Sequence, residues 1–195
     1  MVKRKFLIPL IAGICLIVVT LGIVLFFQIR MHMGWKHSQQ VTEQLSQLLP
    51  EKNLGVPGSY ADPLMPVLQI EDEDYCAILQ IPALDITLPV ADQWDSDQLH
   101  RSPARFFGSA YDGTLVIGGA DNSKQFGFCD TIDQGVTVTI TDMTGAEFTY
   151  TVARVDRSEN AETQWLCQED WDLTLFCREL YSMNYLAVRC IAAYK

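Results

Sequence analysis

Past Lys3-Arg4-Lys5 the chain has no cluster of basic residues; from position 28 onward it carries 11 Lys/Arg against 24 Asp/Glu, a net of −13. Phosphate backbones are held by basic patches, so nucleic acid is excluded as a partner. An acidic surface of this kind serves solubility. Metal chemistry is not signalled either: there is no Cys-x-x-Cys and no His/Cys cluster, and no carboxylate cluster suggests a metal, so neither a metal nor another cofactor is expected. No Gly-rich phosphate loop follows a strand, and no Ser occupies a nucleophile elbow. Of three histidines, His32 and His37 adjoin an apolar segment and only His100 lies deeper in the chain. His100 reads as an exposed loop residue, with general base as the alternative. Asp121-Asn122 and the pair Asp130 and Asp133 read as turn and cap residues. Repeats and low-complexity tracts are absent, and 195 residues leave room for one compact domain with accessories.

Cysteine is present in a pattern that signals no disulfide framework. Cys15 lies in an apolar run, which leaves Cys76, Cys129, Cys167, Cys177 and Cys190, an odd number, several of them inside apolar stretches. There a free thiol acts as a small hydrophobe. Such usage fits an exported protein living without oxygen better than a disulfide scaffold; the pairing state of these five is not legible from spacing.

What the chain does have is a long hydrophobic run. Phe6 to Phe27 holds 22 residues without a charge, about 33 Å as a helix and enough for a hydrocarbon core of about 30 Å. It is longer than a cleaved signal's apolar region, and its exit, Phe26-Phe27-Gln28-Ile29-Arg30, has no small-residue pair. The expectation is therefore a signal anchor in the cell membrane: residues 1–5 inside, 6–27 spanning, the remainder outside. Three basic residues before the span against Arg30 and Lys36 after it set that orientation. Pro9, one turn into the span, costs little hydrogen bonding there.

Residues 28–74 are expected to hold a short helix, Ser38 to Leu49, with Ser38 as N-cap and Pro50 as stop. A spacer rich in Pro, Gly and acid then lifts the domain off the membrane; a segment folded back over the domain is the alternative. From Tyr75 the texture becomes short strand-length runs: 77–81, 86–90, 114–118, 136–141, 147–155, 171–177 and 185–192. Seven or so strands with turns such as Asp142-Met143-Thr144-Gly145 argue for a mainly β domain over 75–195, a small closed or partly closed barrel.

The order of these runs resembles the sortase family. Ile78-Leu79-Gln80-Ile81-Pro82-Ala83-Leu84-Asp85-Ile86-Thr87-Leu88-Pro89-Val90 is similar to the family's opening strand pair. Leu115-Val116-Ile117-Gly118-Gly119-Ala120-Asp121-Asn122 resembles its "V-I-A-G-H-N" strand end, followed by Phe126-Gly127. Trp171-Asp172-Leu173-Thr174-Leu175-Phe176 is similar to the "D-L-T-L-F-T-C" strand of class B-like members, and Val188-Arg189-Cys190 to their closing strand. The resemblance implies an eight-stranded barrel with short helices. It also implies a site in which a Cys nucleophile, a His and an Arg cut a sorting signal such as Leu-Pro-x-Thr-Gly and pass the acyl group to an amine.

Carried over without gaps, the family His falls on Ala120, its Cys on Arg178 and its Arg on Tyr185. The resemblance therefore implies a sortase-type fold with all three catalytic positions substituted: a module that binds a sorting-signal-like peptide or an envelope protein. Arg178, Tyr185 and Gly119 would line its groove, Arg178 pairing with a carboxylate and Tyr185 stacking; the bland reading of that pair is two packed surface residues. The alternative function is a working cysteine transpeptidase with Cys177 as a displaced nucleophile, served by Arg178 and His100. A third reading treats the barrel as a structural spacer. Neighbouring strand residues face opposite ways, so a one-residue slip aims the Cys177 thiol away from the groove unless a bulge intervenes.

Overall fold

The computed structural model describes residues 3–95, 98–168 and 170–193. Eight strands close a barrel: β3 (Glu73–Ile81), β4 (Ile86–Ala91), β5 (Ala104–Phe107), β6 (Leu115–Ala120), β9 (Leu173–Arg178), β10 (Tyr185–Ala192), β8 (Ala146–Ser158) and β7 (Thr137–Asp142), which returns to β3. All neighbours run antiparallel except β4–β5 and β6–β9. Two short strands extend the edges, β1 (Asn53–Leu54) on β8 and β2 (Leu68–Ile70) on β3. The helices are α1 (Lys3–Leu48) and the single turn α2 (Thr163–Leu166). The barrel interior is filled by Leu79, Ile81, Ile117, Phe126, Ile140 and Phe148, all fully buried, with their neighbours.

The mainly β architecture agrees with the sequence reading, as do the seven expected strands, whose ends move by a few residues. β5 was not expected. It is only Ala-Arg-Phe-Phe between Pro103 and Gly108, too short to show an alternation. β1, β2 and α2 escaped for the same reason.

Two expectations for 28–74 are corrected. The short helix is the last part of one continuous 46-residue helix, about 69 Å long. Ser38 lies inside it, buried, and caps nothing. Residues 28–37 contain no proline, and their one helix-weakening residue, Gly34, is there for space: a Cβ on it would stand 2.4 Å from the His100 carbonyl oxygen. Past this point Val41 and Leu45 pack on Ile70, Tyr75, Ile78, Ala91 and Ala104.

The expected spacer lies on the barrel. Gly55 donates its N–H to the Glu147 carbonyl (2.9 Å), the Tyr60 ring stacks on Tyr111 at 3.8 Å, and Met65 is buried in the main core. Prolines at sheet edges forgo only outward-facing donors, so a Pro-rich strap can still pair locally. The acidic run, read as the spacer's end, makes the β2–β3 turn, with Glu71 in the left-handed region (φ 57°). Facing that strap, buried Asp142 is fully engaged. Its Oδ1 accepts from Thr144 N and Ala146 N, both 2.8 Å, and its Oδ2 accepts from the Tyr111 hydroxyl at 2.5 Å.

Candidate functional site

β6, β9 and β10 are consecutive neighbours in the barrel, and their register places three residues side by side: Ala120 opposite Arg178, and Arg178 opposite Tyr185. The positions singled out in the sequence thus form one row on the outward face, at one end of a three-strand strip. Ala120 and Tyr185 are half-buried and Arg178 is exposed. The Arg178 guanidinium sits 5.7 Å over the Tyr185 ring, and its Nε donates a long bond (3.5 Å) to the Met183 carbonyl. Beneath the row, the Gln125 side chain accepts from Ala120 N (3.0 Å) and donates to the Leu99 carbonyl (3.0 Å).

Behind the row the outward face is aromatic. Phe176 stands next to Trp94 (5.3 Å) and Phe106 (5.3 Å), and the Trp94 ring covers Gly118, where a Cβ would meet it at 2.1 Å. Trp94 itself remains 40% exposed. Gly118 therefore faces outward, under the aromatic group. Gly119, expected to line a groove, is turned to the interior, where a Cβ would meet the Phe126 ring at 2.6 Å. A run buried on both faces, Leu115 to Gly119, carries no alternation from which the facing could be read. Trp94 and Phe106 were missed as well, Trp94 lying outside the strands in a polar stretch.

Cys177 keeps strict alternation with Phe176 and Arg178, since β9 pairs both neighbours without a register shift. Its thiol points into the core, 1% exposed, and reaches the Phe126 carbonyl at 3.7 Å. Cys129 is beside it. Burial, and then the contact with Cys177, raise the Cys129 thiol well above its ordinary pKa, and burial alone pushes Cys190 up to about 12. The Cys129 and Cys190 thiols are thereby held protonated; Cys177 is set apart from a reactive cysteine by its burial, since such residues are accessible. All six cysteines are free.

His100 is exposed, in a 3₁₀ turn (Gln98–His100), and lines clefts with Trp35, Ser38 and Met33 of α1. Asn122 does serve a turn, accepting from Lys124 N at 2.9 Å, and Asp121 Oδ2 accepts from Leu180 N at 2.8 Å. No group of three or more His, Cys, Asp or Glu fit to hold a metal occurs among the described residues. The helix that starts the chain is long and apolar enough to cross a membrane by length and composition, and its most apolar window is unburied by the barrel.

No family model and no curated protein matches the chain. Solved structures do. Sortase A from Corynebacterium diphtheriae aligns at TM-score 0.56 and 19% identity, over 85% of this chain and 85% of that one. Sortase C-1 from Actinomyces oris aligns at 0.53 and 17%, over 80% and 97%. A sortase D5 transpeptidase from Clostridium perfringens aligns at 0.52 and 20%, over 61% and 79%. The closed eight-strand barrel and these alignments define a sortase-like fold.

Proposed function

We propose that this is a membrane-anchored protein of the cell envelope that uses a sortase-like barrel to bind a peptide or protein segment without cutting it. The observation that carries the reading is the row Ala120–Arg178–Tyr185, which stands where the family resemblance implies His, Cys and Arg, while the one thiol nearby faces the core. Ala120 has no proton to give or take. Arg178 cannot attack a carbonyl, because its guanidinium stays protonated. It can, however, hold a carboxylate or a peptide carbonyl, with Tyr185 as a stacking partner and the Trp94–Phe106–Phe176 group as an apolar surface next to it. α1 carries the anchor, with residues 6–27 in the bilayer, the N-terminus inside and the barrel outside.

The test is alkylation of the native protein with a small thiol reagent across pH, each cysteine read by mass spectrometry. The expected result is an unreactive Cys177 up to pH 9 and an unchanged cellular phenotype for Cys177→Ala. Rapid modification of Cys177 at neutral pH, with the fold intact, would restore the transpeptidase reading, and Leu-Pro-x-Thr-Gly peptides would then be the substrates to try.

A further inference from the structure

The β9–β10 connection carries three large apolar side chains into solvent: Leu180 is 66% exposed, Tyr181 95% and Met183 52%. The turn is held in place from within. Glu179 N donates to the Asn184 carbonyl (2.8 Å), the Ser182 hydroxyl bonds the Glu179 carboxylate, and Arg157 pairs with Glu179 at 2.7 Å. Met183 adopts φ 63°, a conformation a residue with a long side chain seldom takes. A rigid turn presenting three apolar residues to water is a contact surface in want of a partner.

The position of this turn identifies the partner. Leu180 N is tied to Asp121, and the residues that follow Asp121 run along α1: Asn122 and Lys124 line clefts with Leu25, Phe27 and Ile29 of the helix. Those helix residues are the last turn of the uncharged run and the first residues beyond it. Lys124 Nζ lies 4.6 Å over the Trp35 ring, and Trp35 is only about 12 Å past Phe27 along the helix. Trp and Lys are the residues that settle at a headgroup layer. The carboxylates nearby are engaged, Asp121 by Leu180 N and Glu179 by Arg157, so in a strongly acidic domain this end offers Lys124 and apolar side chains.

We propose that the tip Leu180–Met183, with Lys124, docks onto the surface of the bilayer that α1 crosses, seating its apolar side chains among the lipid headgroups and upper acyl chains. The partner is the lipid surface, with Lys124 facing anionic phosphates. The row Ala120–Arg178–Tyr185, directly behind the tip, then opens along the membrane, so its ligand is a segment emerging from the bilayer. This inference rests on the anchoring reading of α1.

The test uses the full chain in vesicles of phosphatidylcholine and phosphatidylglycerol, in a background with Cys15→Ser and Cys167→Ser. A nitroxide is attached at Tyr181→Cys, at Val18→Cys in the span, or at Leu54→Cys, past the far end of α1. Accessibility to oxygen is compared with that to a water-soluble nickel chelate. Oxygen should dominate at 181 as at 18, and the nickel chelate at 54; adding Lys124→Glu should raise nickel access at 181. A tip that behaves like position 54 while position 18 stays in lipid overturns the docking and leaves the anchor standing. Nickel access at 18 overturns the anchor, and the docking with it. No effect of Lys124→Glu removes Lys124 from the contact.

Discussion

Arg178 and Arg189 lie on adjacent strands of the same strip, on the same outward face, and their surroundings are opposite. Arg189 is fully buried. Its Nε donates to Asp156 at 3.2 Å and its Nη1 to the Leu166 carbonyl (2.9 Å) and Thr174 Oγ1 (3.1 Å). Nη2 donates to the Trp165 carbonyl (2.5 Å), and the Trp165 ring stacks at 4.9 Å. Four of its five N–H groups are used, two of them to hold α2 down on the sheet. Arg178, at the other end, is exposed and has one long bond and one ring. A buried guanidinium survives only when paired and hydrogen-bonded, because the charge has lost its water; an exposed and underused one is free to meet a ligand. Arg189 builds the barrel; Arg178 contributes little to it and belongs to the proposed binding row.

Breaking the built end should have the largest effect. Arg189→Ala leaves the Leu166 and Trp165 carbonyls and the Thr174 hydroxyl without their partner and Asp156 with Arg154 alone, and the unfolding free energy should fall by about 3–5 kcal/mol, measured by urea unfolding with the m-value unchanged. An Arg189→Ala protein of native stability would mean that the network contributes nothing.

Alkaline pH tests the core behind the strip. Burial pushes the Cys76 and Cys190 thiols up to about 12 in the folded state, against an ordinary 9.0. From pH 9 upward the unfolded chain has released those protons while the native state keeps them, so unfolding is favoured. Stability is full below about pH 9 and should fall by about 1.4 kcal/mol per pH unit for each thiol until the native thiols ionise. Cys76→Ala with Cys190→Ala should flatten that slope; an unchanged slope would place the alkaline loss elsewhere.

The two glycines sharpen the contrast between the faces. Gly119→Ala pushes a Cβ into the Phe126 ring, which is fully enclosed, and should cost about 1–3 kcal/mol. Gly118→Ala brings its Cβ to 2.1 Å from the half-open Trp94 ring, which can swing outward, and to 2.7 Å from the buried Phe176 ring. It should displace Trp94 and shift the tryptophan emission to the red, which Gly119→Ala should not. An unchanged emission would mean that Trp94 is locked. The smallest change in stability belongs to Arg178→Ala, whose unfolding midpoint should match the parent while capture of a carboxylate-bearing peptide is lost. A shifted midpoint would make Arg178 a structural residue like Arg189.

Much of the fold was legible because its signals are local. Thr137–Asp142 alternates Val and Ile with Thr, and the Asp142–Gly145 turn has its φ 81° glycine where a left-handed residue is needed. The facing of Cys177 was legible too, by parity with Arg178. The facing of Gly118 and Gly119 was not, since parity along a wholly apolar run has no reference. Nor was the fate of residues 50–70, whose prolines speak for an extended strap but not for what it lies on.

From the sequence alone came the long apolar segment, the acidic composition, the strand order and the sortase-like fold, because charge, run length and residue identity are written along the chain. The tertiary structure decided the continuous α1, the strap that closes over the barrel, the inward thiol cluster and the outward row beside an apolar tip. All of these depend on which residues distant in sequence come to share a face, and burial, not local preference, chooses that.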